Sequence, residues 1–527
     1  MGKRNLFIGL IIFFVYLSIN LAILKDYALS WDYHYHHYAG LFHLGEKVPK
    51  ISEPDNLPYS APDPRLTTED PFGPFTQIIP SLSQVIFTDR FNILPFDAAY
   101  NLPMVFFGAA GVFVLFIFLL EAFGLTVAVA GSLALSLHPS YFGYIHNNMK
   151  DVPNSFAFAL SIYLFWRLTN KKNLSSLLYA CLAFAFAFNV KINSIMIPVI
   201  SGIYFFITGI GRYLQNKKYF VETNLKVISY FLLAPILAIT LWWPFWSDPL
   251  EKLLELPRFY SLNTYNMPVL YLGKMIRSGI NIPFHYPYVY LAVATPLLIL
   301  LPSILGIVIS LIQSIKNSRR YLLILLWFFI PLARYLSPKT GAIDGVRHFM
   351  EILFPLSAFT GIGLNFIYKT VSNTKKLKAL KLLSGVFFIS ALSWNLIRLH
   401  PYQTSYFNSL TGGISGAQGK FDIDFWGTPQ REAVLWLNEN APFGSYVNIV
   451  MAQATAATYL RPDLLLNANK KAINESDYVV LLNRQSFYDL YGVGSLLSEK
   501  EKSGKIVFKV SRQGVALVWV FSNSKLK

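Results

Sequence analysis

Cysteine is nearly absent from the sequence. Cys181 is the single thiol, so no intrachain disulfide can form. It sits in an apolar run, where it serves as a small hydrophobe. A disulfide-stapled scaffold is therefore excluded. Charge is scarce as well: 14% of the 527 residues are Asp, Glu, Lys or Arg, against about 25% in an ordinary globular protein. Acids are the scarcer kind, 28 against 45 basic residues, for a net +17. No Gly-rich phosphate loop ending in Lys-Ser/Thr, no GxGxxG segment and no HExxH motif occurs. That disfavours nucleotide-driven transport and zinc proteolysis. There is no repeat at solenoid periods and no low-complexity tract. What the chain has in abundance is apolar surface, 54% hydrophobic and 16% aromatic residues. A row of three or four soluble domains is ruled out for most of its length.

Eleven stretches are apolar and long enough to be read as membrane helices. They begin near Asn5, Asn101, Leu125, Val152, Leu174, Ile192, Leu225, Tyr288, Tyr321, His348 and Leu380. The first follows Lys3 and Arg4 but has no small-residue cleavage site after it, so it reads as an anchored helix. The short connections alternate in charge. Arg167/Lys171/Lys172, Arg212/Lys217/Lys218, Lys316/Arg319/Arg320 and Lys369/Lys375/Lys376/Lys378/Lys381 all fall on the side of Lys3 and Arg4. This positive-inside pattern puts the N-terminus in the cytoplasm. The excess positive charge is then largely topological, and a nucleic-acid partner loses its support. The opposite side receives a long first loop, residues 26–100, rich in Pro, Tyr and Asp. Its prolines are Pro49, Pro54, Pro58, Pro62, Pro64, Pro71 and Pro74. Ordered turns and short amphipathic helices on the membrane surface are expected there.

After His400 the pattern changes. A helix-like segment spans Thr428 to Asn440, and Tyr446–Met451 and Tyr478–Leu482 are apolar strand candidates. Lys505–Val510 and Val515–Phe521 alternate about Ser-Arg-Gln-Gly, a hairpin signal. The expected fold class is an all-α polytopic membrane domain of about eleven transmembrane helices over residues 1–399. A small α/β extracytoplasmic domain follows over 400–527.

Four polar clusters gather on the side opposite the basic loops. The first is Trp31-Asp32-Tyr33-His34-Tyr35-His36-His37. An acid here can take a proton from an acceptor hydroxyl or amine; the same composition also suits an interfacial aromatic belt. The histidines raise a divalent metal, but His34 and His37 share a helix face that His36 does not, and metal sites need placed ligands. Interfacial or substrate-contacting histidines are the favoured reading, with no metal site assigned. The second cluster is His146-Asn147-Asn148-Met149-Lys150-Asp151-Val152-Pro153. Asp151 and Pro153 suit a helix start. Lys150 and His146 need another reason, and a Lys is a point-charge phosphate binder. The third is Asp344-Gly345-Val346-Arg347-His348-Phe349. An Arg at a helix start opposes the dipole, so an acidic partner or a bound anion must favour it, unless it snorkels to headgroups. The fourth runs from His400 through Tyr402 and Asn408 to Asp422, Asp424 and Trp426. Its rings and carboxylates suit sugar binding; its glycines suit a packed hinge lining one wall of a site, which is the favoured reading.

In this order these clusters resemble the GT-C superfamily of polytopic glycosyltransferases. The branch is the one related to dolichyl-phosphate-mannose protein mannosyltransferases and bacterial aminoarabinose-lipid A transferases. The residues carrying the likeness are the Asp32 segment, HNNMKDVP at 146–153, GVRHF at 345–349, and the stretch from His400 to Gly427. The resemblance implies a polyprenyl-phosphate sugar donor and inverting transfer at the outer membrane face. It implies Asp32 as the catalytic base, with Arg347, Lys150 and His348 holding the donor phosphate and His146 assisting. Asp151 would orient Lys150 or sit near the sugar, with His34, Tyr402 and Asp424 as further substrate contacts. Relatives often carry Asp-Glu where this chain has Asp32-Tyr33. Membrane lipids are implied as surroundings, and the acceptor (protein, lipid or glycan) stays open. No cofactor follows, and a divalent metal stays open. Brief loops and no recognisable retention signal point to a bacterial or archaeal plasma membrane, the cell's inner membrane. The rival class is a lipid or sugar transporter or flippase. It would show inverted repeats and mid-depth charges; Lys191 is the main candidate for such a charge.

Overall fold

The computed structural model describes residues 2–49, 72–246, 248–262, 264–316, 318–370, 375–466 and 473–523. The turns expected around Pro54, Pro58, Pro62, Pro64 and Pro71 lie outside them. Every segment read as a membrane span is helical. The N-terminal half comprises α1 (Lys3–Ala22), α2 (Tyr33–His43), α3 (Pro74–Gln84), α4 (Phe96–Phe123), α5 (Leu125–Ser136), α6 (Pro139–Tyr144), α7 (Asp151–Lys171) and α8 (Leu174–Val190). It continues with α9 (Met196–Gln215), α10 (Lys217–Thr240) and α11 (Pro249–Leu262). A short hairpin, β1 (Pro268–Tyr271) and β2 (Lys274–Arg277), precedes α12 (Tyr286–Ala294), α13 (Leu297–Ile315), α14 (Arg319–Ala333), α15 (Leu353–Thr370) and α16 (Lys375–Leu399).

Among the described residues, seven helices are long and apolar enough to cross a membrane. They are α1, α4, the helical runs Ile192–Gln215, Lys217–Thr240 and Leu297–Ile315, the run Gly345–Thr370 that ends in α15, and Ala379–Leu399 within α16. The four other expected spans differ for physical reasons. At about 1.5 Å per residue, α5, with 12 residues, reaches only about 18 Å, and α8 and α14 have 17 and 15. The helix α7 has 21 residues but opens on Asp151 and Asn154 and ends near Arg167 and Lys171. The span expected from Tyr288, whose second half is the run Leu297–Ile315, is broken at Thr295-Pro296, where proline disfavours a helical conformation in the residue before it.

Close approach of α5, α13 and α15 is made possible by small residues. A Cβ at Gly306 would sit 1.9 Å from the Phe359 carbonyl oxygen, and one at Gly363 would sit 2.0 Å from that of Pro302. Where lipid is as apolar as leucine, such backbone contact is what holds helices together. The helix α2 is also packed rather than laid over a surface. Tyr33, His36, His37 and Leu41 are buried, and Gly40 faces Gln77 and Ser81 of α3.

The C-terminal part contains α17 (Gly413–Ala417), α18 (Gln430–Asn440), β3 (Tyr446–Val450), α19 (Gln453–Ala457), β4 (Leu465–Leu466) and β5 (Tyr478–Leu482). It closes with α20 (Tyr488–Tyr491), α21 (Leu496–Lys502), β6 (Ile506–Arg512) and β7 (Val515–Ser522). The sheet order is β4-β3-β5-β7-β6, with β3 parallel to β4 and β5, and β7 antiparallel to β5 and β6. The hairpin turn is tighter than Ser-Arg-Gln-Gly suggests, because β6 runs on through Arg512. Gln513 and Gly514 alone turn the chain, with φ of 50° and 79°, the two positive φ values of a turn that matches strand twist. The helix α18 packs on this sheet through Trp436, stacked on Phe508 at 5.0 Å.

Replacing Gly306 by Leu drives a side chain into the backbone of α15. A loss of at least about 2 kcal/mol is expected, read as a lowered unfolding midpoint of the purified protein in micelles. An unchanged midpoint would show that α13 and α15 do not pack as described.

Candidate active site

The turn before α7 is shaped by one asparagine. The Asn148 Oδ1 accepts from the backbone N–H groups of Lys150 (3.1 Å) and Asp151 (2.8 Å), and its Nδ2 donates to Asp151 Oδ2 at 2.9 Å. Such side-chain-to-backbone bonding is what Asn offers at a helix start. It leaves the Lys150 side chain free to reach across to the N-cap of α2. There Lys150 Nζ donates to Asp32 Oδ2 at 2.5 Å.

Arg347 comes from the third cluster. Residues 345–352 form a tight 3-10 segment ahead of α15, with a non-helical break at Phe349. Arg347 therefore precedes the long helix instead of opening it. Its Nη1 lies 3.9 Å from both Asp32 Oδ2 and Asp151 Oδ2. Its Nη2 pairs with Asp344, and its guanidinium lies over the Trp426 ring at 4.7 Å. The acidic partners that an Arg at this position requires are thus present. Asp344 sits at φ 57° and is shared: Arg484 Nη2 reaches its other oxygen at 2.8 Å, while Arg484 Nη1 donates to the Phe425 carbonyl at 2.7 Å. Asp151 is paired with Lys191 at 2.5 Å, so Asp151 and Lys150 have different partners. Lys191 caps the end of α8 and belongs to this cluster rather than to a mid-depth path.

Exposure separates the three acids. Asp151 and Asp344 side chains are 3% exposed, whereas Asp32 is 36% exposed. Asp32 is the acid that a substrate can touch. Burial alone would raise its pKa, but the Lys150 and Arg347 charges outweigh that and hold the carboxyl well below the usual carboxylate range. Lys150 also lies 5.4 Å from the centre of the Phe72 ring.

His348 joins the cluster through Nε2, 3.2 Å from Arg347 Nη2. The other expected contacts lie elsewhere. His34 packs edge-on to Tyr33 and Tyr38. The histidine that faces Asp32, Lys150 and Arg347 is His36, one helical turn beyond Asp32. Its Nδ1 is buried without a hydrogen-bond partner, and burial, then the Lys150 charge, keeps it neutral. His146 stacks on Tyr27 at 3.7 Å, and its Nδ1 donates to the Phe142 carbonyl. Tyr402 donates to Glu432, which Arg512 also holds at 3.0 Å. Asp424 accepts from the N–H groups of Trp426 (3.0 Å) and Gly427 (2.7 Å). Tyr402 and Asp424 therefore build the joint, and Asp424 shapes the turn that presents Trp426. Among the described residues, no three His, Cys, Asp or Glu side chains gather as metal donors.

Sequence reasoning missed Lys191 as a site member, and it missed His36 and Arg484. An i, i+4 spacing from Asp32 was the available signal for His36. Arg484, just past an apolar strand, carried none.

Residues 91–242 match the family described as dolichyl-phosphate-mannose-protein mannosyltransferase. Among solved structures, the archaeal oligosaccharyltransferase AglB from Archaeoglobus fulgidus, in complex with an inhibitory peptide and a dolichol-phosphate, is similar at a TM-score of 0.50. Its identity is 13%, over 99% of this chain and 75% of that one. ArnT from Cupriavidus metallidurans in its apo state gives 0.48 at 13% identity, over 97% of both chains. The same protein bound to undecaprenyl phosphate gives 0.47 at 12%, over 99% and 98%. No curated protein sequence matches this chain. The family match covers 91–242 and the fold is like that of AglB, a mostly helical multi-pass membrane architecture with a small C-terminal sheet, in line with the resemblance read from the sequence.

Two measurements check this geometry. Asp344→Ala leaves Arg347 and Arg484 buried without their shared carboxylate and costs about 3–5 kcal/mol of stability; a loss under about 1 kcal/mol contradicts the pairing. Burial pushes Asp424 up to about 6, against the opposing pull of the Gly427 and Trp426 N–H groups. The folded state then holds the proton more tightly than the unfolded chain. Its contribution to stability is full below about pH 4 and is lost as pH rises through about 6, by up to about 3 kcal/mol. Unfolding midpoints at pH 5 and pH 7.5 should therefore differ between wild type and Asp424→Asn, with the variant gaining at the higher pH. A difference independent of pH contradicts the assignment.

Proposed function

We propose that this chain transfers a sugar from a polyprenyl-phosphate-linked donor to an acceptor at the outer membrane face, with inversion at the anomeric carbon. The observation that carries the reading is the half-open Asp32 carboxylate, paired with Lys150 and flanked by Arg347. A base, and cations to receive a phosphate, thus occupy one spot. The family matched at 91–242 and the dolichol-phosphate held by the AglB structure support a lipid-phosphate donor.

The chemistry follows from the charges. Asp32 takes the acceptor proton as the acceptor attacks the anomeric carbon. The bond to the phosphate oxygen breaks, and the growing negative charge falls to Lys150 and Arg347. A phosphate leaving group needs no protonation, so one carboxylate suffices where a glycosidase uses two. In the resting pair Asp32 is a weak base. An arriving donor phosphate competes for Lys150 and Arg347, and as they turn to it the Asp32 carboxylate regains basicity. His348 supports Arg347, and Asp151 holds Lys191 beside it.

The test is purified protein in lipid, incubated with a panel of polyprenyl-phosphate sugars, with release or transfer followed by mass spectrometry. Asp32→Asn should lower turnover by about 10²–10⁴ while the donor still raises the unfolding temperature. Lys150→Gln should weaken that stabilisation as well as turnover. Full activity of Asp32→Asn would rule out Asp32 as the base. Failure of every donor to bind would move the reading to a transporter.

A further inference from the structure

A second cluster of cations lies at the far ends of the helices. A cavity of about 370 Å³ opens between the end of α7 and parts of α9, α10 and α14. Lys172, Arg212 and Arg319 line it, and its lining holds no carboxylate. Among the described residues these three make no ion pair, whereas nearby Arg167 lies 4.0 Å from Glu121. Arg320, at the same rim, is already engaged: it donates to the Ala122 carbonyl at 2.5 Å and packs on Phe123 and Tyr321.

Three further features favour an anion in this cavity. The first turn of α14 carries Arg319 and Arg320 but no acid, and Ser318 at its N-cap makes no side-chain capping bond. Free N–H groups and the positive end of the helix dipole therefore face the lining. Lys172 is held there by a left-handed backbone, φ 50°, and burial, then the Arg212 and Arg319 charges, lowers its pKa. Like charges brought together without a counter-charge call for one. Asn224, 4% exposed in the wall, spends its Nδ2 on Phe220 and Thr223, and its Oδ1 accepts no bond among the described residues. It is open to a hydroxyl donor.

Position argues for the source of the anion. The run Ile192–Gln215, long and apolar enough to cross a membrane, starts beside Lys191 of the Asp32 cluster and carries Arg212 in its last turn. The cavity thus sits at the membrane face opposite Asp32. Trp166 and Tyr204 in its wall are rings of the kind that sit at headgroup level. We propose that this cavity binds the phosphodiester headgroup of an anionic, hydroxyl-bearing phospholipid of the opposite leaflet. Lys172, Arg212 and Arg319 hold the phosphate, and Asn224 takes the hydroxyl. The site is separate from the Asp32 cluster and stands whether or not the sugar-transfer reading does.

The experiment is native mass spectrometry of the full chain in micelles, titrated with phosphatidylglycerol, phosphatidylcholine or glycerol 3-phosphate. Wild type should retain phosphatidylglycerol and release the other two. Each lost charge-assisted contact is worth about tenfold in affinity. The triple variant Lys172→Gln/Arg212→Gln/Arg319→Gln should therefore bind phosphatidylglycerol at least about tenfold more weakly. The control Lys3→Gln/Arg4→Gln/Lys369→Gln, with the same charge change at other helix ends, should bind as wild type does. Undiminished binding by the triple variant overturns the proposal, as does an equal loss in the control, which would make the effect one of interfacial charge. Glycerol 3-phosphate binding as tightly as the lipid would assign the cavity to a soluble phosphate instead. Should the triple variant not fold, the exposed Arg319→Gln alone decides: weaker lipid binding supports the site, and wild-type binding overturns it.

Discussion

Lys150 and Arg347 both reach Asp32 only because three distant stretches converge: the N-cap of α2, the turn before α7 and the 3-10 segment before α15. A half-exposed carboxylate between two nearly buried cations is costly to assemble, since each charge loses water on the way in. The cost is offset by further pairing around it. Arg347 shares Asp344 with Arg484, Asp151 takes Lys191, and Asn148 fixes the turn that aims Lys150. Remove Asp344, and Arg347 and Arg484 lose their shared carboxylate in a poorly solvated place.

This pairing also ties the C-terminal sheet to the helical part. Arg484 follows β5 and lies over the Phe487 ring at 3.7 Å, yet its charge is answered by Asp344 ahead of α15. The Trp31 N–H donates to the Trp426 carbonyl at 3.0 Å, and the Trp426 ring lies under Arg347. The joint from His400 to Gly427 thus does two jobs. Tyr402 with Glu432 and Arg512 holds it closed, and Asp424 turns Trp426 toward the cluster.

Much of this was legible because it depends on local pattern. The alternation of basic loops along an apolar chain marks helix ends, and every expected span is helical apart from the break at Thr295-Pro296. The strand Tyr478–Leu482 lies where its apolar run puts it. Asp32, Lys150 and Arg347 stood out because a charge beside an apolar helix end demands a reason. Where local pattern did not decide, the deciding contact was distant. His34 and His36 differ by two positions in one aromatic run, and only packing of α2 against α3 determines which ring faces Asp32. Tyr402 and His146 carry chemistry-capable groups, but their partners, Glu432 and Tyr27, lie far along the chain.

What the sequence determined by itself was therefore the helical, membrane-spanning character, the strands near the C-terminus and the residue types available for chemistry. Hydrophobic burial and backbone hydrogen bonding act within a turn or a strand, so composition and period suffice for them. What only the tertiary structure decided was the pairing of charges: Lys150 with Asp32, Lys191 with Asp151, Arg484 with Asp344. Electrostatic pairing depends on distance in space and on the water left around each group, and neither is written in the order of the residues.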